Sequence, residues 1–129
     1  MKNKDLFIAD LIRIFPNLEE EILDEDYSFS ITLQMGSLKR YIQKAIDDDN
    51  SDLFDAVVAF LNENLPLVDK KVQNTIFISF LEKLDFSGTP KFKQKLVGTL
   101  RRAHGYWKLH DRKKYLVKLR LDYGYEFRI

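Results

Sequence analysis

Apolar residues recur at helical spacing through most of the chain, and in two stretches they alternate with polar ones instead. Over 4–15, Phe7, Leu11, Ile14 and Phe15 form one stripe, widened by Ile8 and Ile12, which predicts a helix. Pro16 ends it, and its fixed φ suits the start of the next element. "NLEEEILDEDY" then predicts a short helix over about 17–25, its glutamates in the first turn where they favour the positive helix end. In "SFSITLQM", Phe29, Ile31, Leu33 and Met35 alternate with Ser28, Ser30, Thr32 and Gln34, so 28–35 predicts a strand with one buried face. Ser37, after Gly36, is the expected N-cap of a helix over about 38–48 with Leu38, Tyr41, Ile42, Ala45 and Ile46 inward.

Beyond the turn "DDNSD", Asn50 or Ser51 caps a helix over about 52–64, carrying Leu53, Phe54, Val57, Val58, Phe60 and Leu61. Pro66 punctuates the chain, and Asp69 caps a helix over about 70–85 with Val72, Ile76, Phe77, Phe80, Leu81 and Leu84 on one side. "DFSGTP" reads as a loop, and Pro90 opens a helix over about 91–103 with Phe92, Leu96, Val97 and Leu100 inward and Gly98 a mild weakness. From Tyr115 to Ile129 every odd position is apolar, which predicts one long strand or a hairpin turning near Asp122–Gly124. Its natural partner is 28–35, because a two-stranded ribbon becomes stable when it packs on helices. The expected fold is mainly α: five to six packed helices with a small β element from residues 28–35 and 115–129.

A chain of 129 residues fits a single domain over 1–129, and its 45% hydrophobic and 32% charged residues suit a soluble globular protein. The absence of cysteine excludes disulfides, thiolate metal sites and cysteine nucleophiles, and fits a reducing compartment. Asp5, Asp10 and Arg13 interrupt the apolar start, and no apolar run approaches the ~20 residues that span a bilayer. A cytoplasmic location without membrane contact is therefore expected.

Charge sharpens the picture. The total is only +1, yet residues 1–69 hold 6 Lys+Arg against 15 Asp+Glu, whereas 70–129 hold 15 against 5. Such a split predicts either two opposed faces or two halves that interleave and pair their charges. Asp47, Asp48, Asp49, Asp52 and Asp55 gather round one helix–helix turn, and Glu19, Glu20, Glu21, Asp24, Glu25 and Asp26 form a second group. An acidic face of this kind suits capture of a basic protein. The first group is the candidate partner-binding site.

Catalytic chemistry finds little support. His104 and His110 lie six apart, off any shared helix face, and no H-E-x-x-H occurs. "DDDNSD" starts like a calcium loop, but Asp52 replaces the turning glycine and Val58 the bidentate glutamate, and "DEDYSF" fails in the same way. Glycine-rich phosphate loops and nucleophile elbows are missing. No enzyme, cofactor or metal is expected. The region 91–120 mixes cations with aromatics, so Arg101, Arg102, Tyr106, Trp107, Lys108, Arg112, Lys113 and Lys114 form an alternative nucleic-acid-binding set, in which bases stack on rings while cations neutralise phosphates.

The segments "MGSLKRYI" and "AFLNENLPLVDKKVQNTIFISFLEKL", within roughly 35–84, resemble a group of small helical bacterial proteins of unknown function. Some of that group look like immunity partners encoded beside secreted toxins. The resemblance implies a binder that neutralises one cognate toxin; taken with the acidic face, a non-catalytic protein that binds a basic toxin domain, such as a nuclease, is expected. It carries over no individual site residue.

Overall fold

The computed structural model describes residues 1–109, with side chains described through His104. Seven α-helices occur among the described residues. Helix α1 spans Lys4–Ile14, and a 3-10 turn at Pro16–Leu18 leads into α2, Glu19–Ile22. Helices α3, Ile31–Asp47, and α4, Ser51–Asn64, follow. Helix α5, Lys70–Thr75, continues as a π turn over Ile76–Phe80 and a 3-10 turn over Leu81–Lys83. Then come α6, Pro90–Lys95, and α7, Gly98–Leu109.

The expected strand over 28–35 is instead a turn followed by the start of α3. Ser30 caps that helix, its Oγ accepting the Leu33 N–H at 3.2 Å. Ile31 and Met35 are buried, but Phe29 and Leu33 are exposed. The reason is positional: Ile31 and Met35 are four residues apart and extend the stripe of Leu38, Ile42, Ala45 and Ile46, so the period of four wins over the shorter period of two. Ser37, read from sequence as a cap, sits buried in mid-helix. Among the described residues no strand forms, only one parallel bridge between Lys2 and Val68. The other half of the expected β element, 115–129, lies outside them.

Two further helices depart from sequence expectation. The segment 70–85 changes pitch rather than running as one α-helix, and its widened turn buries Ile76, Phe77 and Phe80 where it packs on α3. The segment 91–103 breaks at Leu96–Val97, so α6 and α7 are separate. Gly98 takes φ +65°, a left-handed value that costs glycine least. The amide of Asn62, on α4, fastens the break: its Nδ2 donates to the Val97 carbonyl at 2.8 Å, and its Oδ1 accepts the Leu100 N–H at 3.1 Å. A distant residue thereby caps α7, supplying an acceptor that the helix start lacks locally. A Cβ on Gly98 would sit 3.1 Å from that amide nitrogen.

Other inward polar side chains also bond backbone. Gln73 Nε2 donates to the Leu65 and Val68 carbonyls at 3.0 and 3.3 Å, holding the α4–α5 connection. Gln43 exchanges two hydrogen bonds of 2.9 Å with the backbone of Asp85, tying the loop after the π turn to α3. Lys2 binds the N-terminus down: its N–H donates to Leu67 and its carbonyl accepts from Asp69, each at 2.8 Å. Its Nζ donates to Asp10 Oδ2 at 2.6 Å and Asn64 Oδ1 at 2.9 Å.

Removing the remote cap with Asn62→Ala should lower stability by about 1 kcal/mol. Gly98→Ala, which adds a strained φ and a crowded Cβ, should cost at least as much. Urea unfolding checks both, and an Asn62→Ala midpoint equal to wild type would reject the cap. The Lys2 hydrogen bond and charge hold the Asp10 carboxyl below its ordinary pKa. A lowered folded pKa means that the stability it confers is present above the unfolded value and lost as pH falls through the folded one. The gap between wild type and Asp10→Asn should therefore be full near neutral pH, begin to shrink below about pH 4, and vanish at lower pH. A gap unchanged by acid in urea titrations would contradict this.

Candidate partner-binding surface

The acidic turn is shaped by the requirements of two helix ends. At the C-terminus of α3, Asn50 N–H donates to the Ala45 carbonyl at 2.7 Å and Asp49 N–H to Ile46 at 3.2 Å, the paired bonds of a Schellman motif. Asp49 takes the left-handed position with φ 59°, which a short polar side chain tolerates better than most. Asn50 Oδ1 then caps α4 by accepting the Leu53 N–H at 3.2 Å. Asp52 falls in the first turn of α4, where the helix dipole favours it, whereas Asp47 and Asp48 stand at the unfavourable end of α3.

Asp47, Asp48, Asp49, Asp52 and Asp55 are all exposed and all on this ridge. Three of them meet cations. Asp48 binds Lys44 one turn back at 2.7 Å, which raises the pKa of that ammonium. Asp49 pairs with Lys91, and Asp55 lies 3.7 Å from Lys95. Asp47 instead accepts from Gln43 Nε2 at 3.3 Å. The two lysines of α6 arrive because Phe92 is buried against Phe54, ring centroids 5.1 Å apart. Phe92 follows Lys91 and Phe54 precedes Asp55, so ring packing sets the charge register. Exposed pairs such as these are screened by solvent and contribute little to stability. The acidic and basic halves thus interleave at this turn, and the ridge keeps an excess of carboxylate.

Residues 8–109 match a family described as a domain of unknown function, DUF7674. The chain belongs to the DUF7674 family. The match runs from within α1 to the end of α7, well beyond the 35–84 segment on which the sequence resemblance rests, and nothing in it links the family to toxin immunity. No curated protein matches the chain at a significant level, and neither does any solved structure.

Within the DUF7674 domain, five residues of the alternative basic set lie on α7. Arg101 and Arg102 are exposed on α7, and Tyr106, Trp107 and Lys108 belong to the same helix. Arg112, Lys113 and Lys114 lie outside the described residues, as does His110. His104 is buried, edge-on to Phe86 at 5.3 Å. Among the described residues no cluster of three or more acids or histidines is arranged to hold a metal, and no helix is long and apolar enough to cross a membrane.

The alternation of 28–35 concealed a second surface of the DUF7674 domain. Phe29 is 71% exposed, and Leu23 and Leu33 are exposed beside the acidic run 19–26. In that run, among the described residues, only Glu21 pairs with a cation, Arg40, whose guanidinium also lies over the Tyr27 ring. The available signal was Ser30 standing ahead of the Ile31–Met35–Leu38 stripe, a cap that leaves Phe29 outside the helix.

If ring packing fixes α6, Phe92→Ala should destabilise by about 3–5 kcal/mol, whereas Lys91→Ala and Lys95→Ala should each cost at most about 1 kcal/mol. Equal losses in chemical unfolding would mean that the ion pairs hold the helix.

Proposed function

We propose that this DUF7674 protein is a non-catalytic interaction protein that binds and neutralises a basic protein partner. The toxin-immunity reading gives that partner its most concrete form: a toxin domain, with a nuclease fitting best because a groove that holds phosphates is cationic. The observation that carries the reading is the Asp47–Asp55 ridge, whose exposed carboxylates stand on a turn fixed by paired helix-end hydrogen bonds. A preorganised ridge loses little conformational freedom on binding. Excess negative charge steers a cationic surface into encounter, and the scaffold behind it then occludes that surface. On this mechanism the partner's cations compete with Lys91 and Lys95 for Asp49 and Asp55.

Nucleic-acid binding ranks second, because two lysines of the basic segment already lie against carboxylates. The test starts from a partner co-purified from the native cell, identified, and titrated against the full chain. A 1:1 complex that weakens with salt is expected, and Asp48→Lys with Asp52→Lys should raise Kd at least about tenfold. Unchanged affinity in that double variant would remove the acidic ridge from the mechanism.

A further inference from the structure

We infer that the connection from α2 into the first turn of α3 is a separate docking surface, fitted to a cationic amphipathic helix on a protein partner. The inference shares with the proposed function the idea of a basic partner, but it concerns a different face and different residues.

The apolar part comes from one compact piece of chain. Asp24 accepts the N–H groups of Tyr27 and Ser28 at 2.9 and 2.8 Å, and Tyr27 accepts that of Ser30 at 3.0 Å, folding 24–30 into successive turns. Gln34 Nε2 donates to the Ile22 carbonyl at 3.1 Å, so the end of α2 lies against the start of α3. Leu23, Phe29 and Leu33 belong to this unit, and they are 47%, 71% and 41% exposed. Phe29 is the largest exposed ring described, and Phe92, Phe54, Phe77 and Phe80 show that this chain buries phenylalanine completely where the core can take it. A ring left out in this way is the type of residue that anchors an interface when a partner desolvates it.

The charge around it selects the partner. Glu19, Glu20, Asp24, Glu25 and Asp26 are exposed, and among the described residues none of them pairs with a cation. Lys4 donates to the Ser28 carbonyl at 3.1 Å and Arg40 is held by Glu21, so the two cations at the margin are already engaged. Three exposed apolar side chains with unpaired carboxylates in the adjoining run complement an apolar helix stripe flanked by Lys and Arg. The Asp47–Asp55 ridge differs: three of its five carboxylates are partnered by lysines, and Phe54 beneath it is buried.

The experiment titrates the full chain with a fluorescent synthetic peptide built of leucine and lysine, leucines at i, i+3, i+4 and i+7. A leucine–glutamate peptide of the same pattern is the charge control. The lysine peptide should bind, more weakly as salt rises, and the glutamate peptide should not. Phe29→Ser with Leu33→Ser, and separately Glu20→Lys with Glu25→Lys, should each weaken binding about tenfold or more. Asp48→Lys with Asp52→Lys should leave it within about twofold. All substituted side chains are exposed, and unfolding curves confirm that each variant is folded. No binding of the lysine peptide, or equal binding by the Phe29 and Leu33 variant, overturns the inference. So does loss confined to the Asp48 and Asp52 variant, an outcome that would leave the acidic ridge intact as the binding face. Self-association of the wild type that Phe29→Ser abolishes would assign the surface to a second copy of the chain and also overturn it.

Discussion

Burial of the two rings at opposite reaches of α4 constrains everything packed around that helix. Phe60 meets Phe7 at 5.7 Å and Phe15 at 5.9 Å, so it anchors α1 and the turn that follows it. Phe54 meets Phe92 at 5.1 Å and Phe86 at 6.3 Å, so it anchors α6 and the loop before it. Each fully buried ring is worth about 1.5–3 kcal/mol relative to exposure. Chain segments far apart in sequence are thus brought to one helix, and Asn62, on its outer side, fixes where α7 begins.

Electrostatics follows from that packing and does not cause it. An exposed ion pair contributes up to about 1 kcal/mol, which is less than one aromatic contact of this core. Lys91 and Lys95 reach Asp49 and Asp55 because Phe92 has already docked beside Phe54. The same hierarchy explains why the acidic run 19–26 keeps its charge. Only Arg40 of α3 is in register with it, and no packed basic helix is seated there among the described residues. Binding can therefore draw on surface charge with little consequence for the fold.

Much of the helical framework was legible because its signals are local. Asn50 and Asp69 act as the caps their positions suggest, each accepting an N–H three residues on. The stripes of α1 and α4 face inward as their spacing requires, except that Ile14, at the end of α1, is exposed. The errors share a physical origin. Eight residues of alternation fit a strand and the first turns of a helix almost equally well, and the deciding factor was the continuation of Ile31 and Met35 into a long stripe. The break before Gly98 depends on Asn62, 35 residues upstream of Val97, so no window around Gly98 contains its cause. Which acids remain unneutralised is likewise tertiary: Asp49 and Glu25 look alike in sequence, and only docking of α6 separates them.

The polar interior then distinguishes the two surfaces mechanically. The backbone of the acidic turn is satisfied by the Schellman pair and the Asn50 cap, and Gln43 clamps the loop next to α3, so that ridge is rigid. Beneath the start of α3 the position differs. Gln34 Oε1 and Ser37 Oγ are buried and find no hydrogen-bond partner among the described residues. They lie three residues apart on one helix, in the layer that joins α2 to α3. A carboxylate ridge and an exposed apolar turn suit different tasks. On the proposed reading, the first would set orientation and encounter rate through charge, and the second would supply the desolvated contact that slows dissociation.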